Sequence, residues 1–148
     1  MINTILVPTD GSVFADKAVS LAGELAKIHG ARIVLLHCIL DIVHEDVPKH
    51  LQDLADIEKQ TIGDVLMTVG NEVLKRAEAR LRTQGAKNIE TTLPSGRPAQ
   101  AILDYATAHH VDLIVMGSRG RSDLEGLLLG SVSHKVSHLA PCSCATVR

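Results

Sequence analysis

The sequence predicts an α/β domain in which a parallel sheet carries helices on both faces. Short apolar runs, typical of buried strands, alternate along the chain with longer segments whose apolar residues repeat at the helical period. Alternation of this kind implies right-handed crossover connections, which place helices on both sides of the sheet. A length of 148 residues suits one domain, residues 1–148, with a full hydrophobic core.

Five strands are predicted from runs of aliphatic and β-branched residues. Residues 33–36 are almost wholly apolar, which is typical of a strand that is buried on both faces. Residues 89–93 are more polar and are expected at an edge of the sheet. The predicted strands are 2–7, 33–36, 89–93, 113–116 and 145–147.

Four helices are predicted between and after these strands. Gly30 and Gly85 are expected to end the first two helices, and Pro98 suits the first position of the third. The predicted helices are 15–26, 62–81, 98–106 and one that begins near Gly130 and ends near Ala140.

Residues 41–59 break the alternation, because acidic residues and Pro48 stand there among scattered aliphatic ones. We interpret this segment as a loop insertion with at most one helical turn. It is either a solvated connector or a mobile lid.

Composition excludes several classes of function. A net charge of −2 gives no basic excess for binding nucleic acid, and one Phe, one Tyr and no Trp provide no platform for stacking bases. No apolar stretch approaches the length of a membrane span, and no secretory signal stands at the start. Three cysteines do not form a disulfide framework, so we expect a cytoplasmic protein without a membrane contact.

The strongest functional signal lies in residues 112–133, where a strand is followed by a glycine loop and a helix start. Glycines let the backbone approach an anion, and a helix N-terminus supplies amide groups and the positive end of a dipole. The pattern is neither a Walker A loop, which needs Lys, nor a dinucleotide fingerprint. A plain turn would explain Gly117 and Gly120, but Gly130 and the serines after it favour a phosphate site.

Asp10 follows the first strand and Gly117 ends the fourth. In open parallel sheets, ligands bind beyond the carboxyl ends of the strands, where the strand order reverses. If the first and fourth strands are neighbours, the two loops face one cleft, and Asp10 becomes an acidic partner of the glycine loop.

The sequence resembles the universal stress protein family over nearly its full length. The resemblance implies an open, Rossmann-like sheet of order 3-2-1-4-5, similar to adenine nucleotide alpha hydrolases, and a homodimer paired through the last strand. The spacing Gly117-x2-Gly120-x9-Gly130-Ser131 is similar to the signature of the ATP-binding branch. The matching stretches are ILVPTDGS, IVLLH, GRPAQAIL, DLIVMGSRG and LLLGSVSHKV.

The resemblance also implies a site for ATP, or for AMP or ADP, together with Mg²⁺. The residues of the first loop would surround the ribose and adenine, and the helix start would hold the phosphates. Asp10 is the candidate carboxylate for Mg²⁺, which usually binds through phosphates and one or two carboxylates. The implied binding residues are Pro8, Thr9, Asp10, Cys38, Met116, Gly117, Arg119, Gly120, Gly130, Ser131, Val132 and Ser133.

Two rival chemistries involve the end of the chain. His134 and His138 share a helix face and are followed by Cys142 and Cys144, so a Zn²⁺ or Cu⁺ site is conceivable. The spacing matches no recognised zinc finger, which favours packing or solvent exposure instead. A redox pair of the two cysteines is disfavoured because no neighbour would lower a thiol pKa.

The leading hypothesis is therefore an ATP-binding regulatory module of the stress response, with slow or no hydrolysis and an unidentified regulatory protein partner. One alternative is a dimeric interaction protein that binds no nucleotide. Another is a slow ATPase or autophosphorylating protein, with Ser131 or Ser133 as the acceptor.

Overall fold

A parallel sheet of five strands lies at the centre of the fold, and the structure, a computed structural model, describes residues 1–41, 49–121 and 128–148. In chain order the strands are β1 (Thr4–Pro8), β2 (Arg32–Leu36), β3 (Ile39–Leu40), β4 (Ile89–Thr92), β5 (Ser95–Gly96), β6 (Leu113–Gly117) and β7 (Ser143–Val147). The helices are α1 (Val13–His29), α2 (Gln52–Thr83), α3 (Pro98–Ala108) and α4 (Ser131–Leu139), with a short 3-10 helix at Lys49–Leu51.

The strand order confirms the predicted topology. The large sheet has the order β4-β2-β1-β6-β7, which is 3-2-1-4-5 when its five strands alone are counted. β1 pairs in parallel with both β2 and β6, so the order reverses beside β1. The difference from the prediction is a parallel ladder of β3 with β5, whose strands of two residues are too short to produce an apolar run.

Two hydrophobic cores cover the two faces of the sheet, because successive residues of a strand point to opposite sides. Ile5 and Val7 of β1 pack with α1 and α2, whereas Leu6 packs with α3 and α4. β2 and β6 divide their side chains in the same way, which explains why these strands are apolar throughout.

The helix termini follow the predicted chemistry. The Ser12 hydroxyl accepts a hydrogen bond from the amide of Ala15 at the start of α1, and Gly30 ends that helix in the left-handed conformation. Pro98 is the first residue of α3, as expected. None of the helices in the described ranges combines the length and apolar character needed to cross a bilayer.

The prediction of a loop over residues 41–59 is wrong for its second half. α2 begins at Gln52 rather than at residue 62, and a 3-10 turn precedes it; residues 42–48 lie outside the described residues. The first half of α2 has good helix formers but no buried face, since Leu54 is 64% exposed and Ile57 is 62% exposed. The aliphatic residues in the first half of α2 therefore do not repeat at the helical period, which is the pattern by which a helix is recognised in a sequence.

Asp112 fixes the opposite, amino-terminal edge of the sheet. Its carboxylate oxygen Oδ2 accepts hydrogen bonds from the backbone amides of Thr4 (2.9 Å) and Asn3 (2.8 Å). These two bonds lower the pKa of the Asp112 carboxyl below its usual value. The charged form therefore stabilises the start of β1.

We expect Asp112→Asn to reduce stability at neutral pH and to become equivalent to the parent in strong acid. A carboxyl whose pKa is lowered by folding contributes stability above its unfolded pKa, and this contribution is lost as the pH falls through the folded pKa. Thermal melting from pH 7 to pH 2 measures the difference, with Asp64→Asn, an exposed carboxylate of α2, as the control. A melting-temperature difference for Asp112→Asn that stays constant with pH would contradict this account.

Candidate functional site

A cleft of about 330 Å³ opens at the carboxyl ends of β1, β2 and β6, where the strand order reverses. It collects all of the predicted site residues except Gly130. The residues around it are Pro8, Thr9, Asp10, Ala15, Leu36, His37, Cys38, Ile39, Leu40, Leu66, Val69, Pro98, Ile102, Met116, Gly117, Arg119, Gly120, Arg121, Ser131, Val132 and Ser133.

Backbone and side-chain hydrogen bonds hold the first loop of the cleft in place. The amide of Thr9 donates to the carbonyl of Leu36 (2.9 Å), so the loop continues the pairing of β1 with β2. Asp10 Oδ1 accepts from the amide of Ser12 at 2.9 Å. Gly11 adopts a φ of +74°, which the turn requires and which glycine adopts without strain.

Asp10 also joins this loop to the glycine loop. Its Oδ2 accepts from the backbone amide of Arg121 at 3.0 Å, and the Arg121 guanidinium donates back to the carbonyl of Gly11 at 3.2 Å. The expectation that Asp10 lies beside the glycine loop is thus confirmed. Both carboxylate oxygens already accept a backbone amide, so the carboxylate is held in a fixed position at the cleft.

Gly117 is required by packing as well as by its place in the cleft. A Cβ atom added there would lie 2.9 Å from the carbonyl carbon and Cβ of Phe14 and from the amide nitrogen of Ala15. Real Cβ atoms do not approach backbone so closely. The end of β6 therefore packs directly on the start of α1.

The backbone of Ser118 ties the glycine loop to its surroundings. Its amide donates to the Val147 carbonyl (2.7 Å), while its own carbonyl accepts from the amide of Gly130 (2.6 Å) and the hydroxyl of Ser133 (2.7 Å). The Gly130 amide thus donates within the loop, and its expected contact with phosphates stays a prediction. Ser122 and Asp123, which the sequence places in the same loop, lie outside the described residues.

The two serines named as alternative acceptors differ in access. Ser133 is 4% exposed, and its hydroxyl donates to the carbonyls of Ser118 and Gly130. Ser131, the first residue of α4, is exposed and lines the cleft. Ser131 is therefore the more accessible hydroxyl of the two.

Of the described residues that line the cleft, Arg119 and Arg121 carry positive charge and Asp10 alone carries a carboxylate. The guanidinium of Arg119 lies 4.9 Å from the ring centroid of Phe14, a cation–π distance. Its Nε is buried and has no hydrogen-bond partner in the part of the chain that the structure describes. The balance of charge suits an anion.

Cys38 contributes an apolar wall rather than a reactive thiol. Its Sγ lies 3.5 Å from the carbonyl of Gly96 in the β3–β5 ladder. Burial, and secondarily the Asp41 carboxylate, raise the pKa of the Cys38 thiol. The thiol therefore stays protonated and packs beside Met116 and Ile102.

Sequence reasoning missed His37 and the contribution of α2. His37 Nδ1 lies 2.8 Å from the carbonyl of Thr9, and its ring packs on α2 at Gly70. Leu66 and Val69 of α2 line the cleft beyond this contact. His37 ends an apolar run, where a polar residue at the carboxyl end of a central strand could have been recognised as a site residue.

The rival chemistries at the end of the chain receive no support from the geometry. The rings of His134 and His138 stack at 5.2 Å between centroids on an exposed helix face. Among the described residues, no three His, Cys, Asp or Glu side chains converge as metal ligands. Burial raises the pKa of both Cys142 and Cys144, which disfavours a reactive thiolate.

The sheet order and the position of the cleft place this chain among the doubly wound α/β proteins, whose ligands bind at the point where the strand order reverses. The model of the universal stress protein family matches residues 1–148. The chain therefore belongs to the universal stress protein family.

Individual relatives agree with this assignment. The chain is 37% identical to universal stress protein YxiE of Bacillus subtilis, over 100% of both chains. The structure is similar to universal stress protein UspA from Lactobacillus plantarum, with a TM-score of 0.85, 27% identity and coverage of 99% of this chain and 97% of that one. It is also similar to a universal stress protein solved in complex with cAMP, with a TM-score of 0.72, 28% identity and coverage of 99% and 97%.

The hydroxyls of Ser133 and Ser118 should differ in their effect on stability. Ser133→Ala removes a buried donor from two carbonyls, and we expect a loss of about 1–3 kcal/mol in the free energy of unfolding. Ser118 is 1% exposed, and its hydroxyl has no partner in the described ranges, so Ser118→Ala should change stability by no more than about 0.5 kcal/mol or should stabilise. Urea unfolding measures both; equal losses would show that the Ser133 hydroxyl does not secure the loop.

Proposed function

We propose that this protein is a cytoplasmic, ATP-binding regulatory module of the stress response that hydrolyses ATP slowly or not at all. The observation that carries the proposal is the cleft itself, in which an apolar chamber adjoins two arginines and the start of α4. AMP and ADP would occupy the same chamber. Three free cysteines suit a reducing compartment.

The chemistry of the cleft fits the two ends of a nucleotide. Ile39, Leu40 and Val69 line the cleft with accessible apolar side chains that suit a base, as small-ligand sites usually do. Arg119 supplies charge for phosphates. α4 begins at the cleft, and the first amides of a helix have no carbonyl partner within the helix, so they suit an anion.

Mg²⁺ fits this site as a companion of the phosphates rather than as an ion held by the protein alone. Among the described residues that line the cleft, Asp10 is the only carboxylate, and each of its oxygens accepts one amide, which leaves lone pairs for a metal or its water. Mg²⁺ is commonly held by one or two carboxylates together with substrate phosphates. We propose Asp10 as that ligand.

Slow hydrolysis of ATP is expected because the cleft offers few polar groups that could assist the reaction. Phosphoryl transfer needs a cation clamped on the γ-phosphate and a residue that orients the attacking water. Arg121 already donates to the carbonyl of Gly11, so it holds two loops together instead of clamping a phosphate. Among the described residues of the two loops, none is a Glu, Gln or His that could orient the attacking water.

The relatives support the proposal that this protein binds a nucleotide, whereas its regulatory role has to be tested by experiment. The universal stress protein that binds cAMP shares 28% identity with this chain, and its ligand is an adenine nucleotide. A regulatory protein partner is part of the proposal. Its identity requires a pull-down from stressed cells.

Ser131→Asp should weaken ATP binding at least about 10-fold, because a carboxylate would replace the hydroxyl at the start of α4, where the phosphates are proposed to lie. Asp is well tolerated in the first turn of a helix, so folding should be preserved. Ser137→Asp, an exposed serine near the end of the same helix, adds the same charge outside the cleft and should bind ATP like the parent. Calorimetry with and without Mg²⁺ measures the three affinities.

Two outcomes would decide against the proposal. If Ser131→Asp and Ser137→Asp bind ATP equally well, the phosphates do not lie at α4. If the purified protein releases no adenine nucleotide on denaturation and binds none in calorimetry, the result favours the alternative of a dimeric interaction protein that binds no nucleotide.

We further propose a homodimer paired through β7. This strand is an edge of the large sheet, and an exposed edge is a template for pairing with another chain. Its partly buried Cys144, Ala145 and Val147 would gain cover from a partner. Sedimentation at micromolar concentration should give a dimer, and a monomer there would count against this contact.

A further inference from the structure

His37 presents one nitrogen with a defined role and one that remains to be explained. Its Nδ1 lies 2.8 Å from the carbonyl of Thr9, and a carbonyl can only accept a hydrogen bond. Nδ1 must therefore carry the proton. In the neutral ring, Nε2 is then a hydrogen-bond acceptor with a fixed direction.

Within residues 1–41, 49–121 and 128–148, no hydrogen-bond donor is bonded to Nε2. The ring edge faces α2 at Gly70, where an added Cβ would lie 2.9 Å from Cδ2 and 3.6 Å from Nε2. The backbone amides of a helix interior are already bonded within the helix. The only hydrogen bond of the His37 ring to the described part of the chain is the one at Nδ1, and the residue lines the cleft.

We propose that His37 is a specificity-determining residue whose Nε2 accepts a hydrogen bond from an N–H or O–H donor of the bound nucleotide. This inference rests on the proposed function. The donor is either the exocyclic amine of adenine or a hydroxyl of the ribose, and the two share the same chemistry toward Nε2.

An acceptor of this kind selects more strongly than the apolar chamber can. An apolar wall accepts any flat base of suitable size, whereas a site built to bond a donor rejects a ligand that lacks it. Guanine carries the acceptor O6 where adenine carries its amine, so an imidazole acceptor at that position would disfavour guanine. The Thr9 carbonyl keeps Nε2 in this role by holding the proton on the other nitrogen.

The test is a cycle that removes the acceptor from the protein and the donor from the ligand. His37→Asn retains an amide N–H for the Thr9 carbonyl but has no acceptor at the Nε2 position. Calorimetry at pH 8 compares AMP with purine riboside monophosphate, which lacks the amine, and with 2′-deoxy-AMP and 3′-deoxy-AMP. His29→Asn, an exposed histidine at the end of α1, is the matched control.

One of the three analogues should bind the parent about 3- to 10-fold more weakly than AMP, as expected for the net contribution of one hydrogen bond. His37→Asn should bind AMP more weakly by a similar factor and should not discriminate against that analogue. The analogue that binds more weakly shows whether the donor is the adenine amine or a ribose hydroxyl. His29→Asn should behave like the parent.

A second variant displaces the ring without changing His37. Gly70→Ala places a methyl group 2.9 Å from Cδ2 of His37 and 2.8 Å from Cδ1 of Leu93, so the ring must shift and the discrimination should fall. Gly63→Ala, whose Cβ would meet nothing within 4 Å, is its control.

The inference is overturned if the parent discriminates against none of the analogues, or if His37→Asn discriminates as strongly as the parent. In either case AMP binding by the parent would still support the proposed function, whose own failure would show as the absence of nucleotide binding by the parent.

Discussion

The parallel pairing of β1 with β6 is the contact on which the cleft depends. Ile5 pairs with Leu113 and Leu6 with Ile114, and all four side chains are buried. Because the strands are parallel, the loops that follow them leave the sheet at the same edge. The hydrogen bond from the Arg121 amide to Asp10 follows from this proximity. A change that separated β1 from β6 would remove both the loops' contact and the opening between them.

Most of the sheet could be predicted from the sequence because its strands are buried on both faces. Continuous apolar runs at β2 and β6 leave little doubt about their state, and Gly30 and Pro98 mark helix ends by a direct steric rule. The first half of α2 could not be predicted, because helix recognition depends on a buried face and this half has almost none. Its helical state comes from residue propensity and from continuity with the buried second half.

The site was predictable only in part, because a motif identifies which residue types occur at a site but not which contacts require them. Gly117 belongs to the expected glycine pattern, yet the backbone of Phe14 alone would require a glycine there. Gly130 belongs to the same pattern, and its amide bonds to Ser118. His37 stands outside the pattern and within an apolar run, so its contact with the Thr9 carbonyl appears only once the two strands are paired.

α2 has two halves with different physical roles, and the change between them lies at the cleft. From Gly70 onward its apolar residues belong to the core, whereas Leu66 and Val69 stand beyond the sheet as a wall of the cleft. The position of that wall is set where the helix leaves the core, at the contact of Gly70 with His37 and Leu93. His37 therefore touches two walls at once, the Thr9 loop through a hydrogen bond and α2 through packing. A ligand that bonds to His37 would therefore contact, through one side chain, the residue on which both walls of the cleft meet.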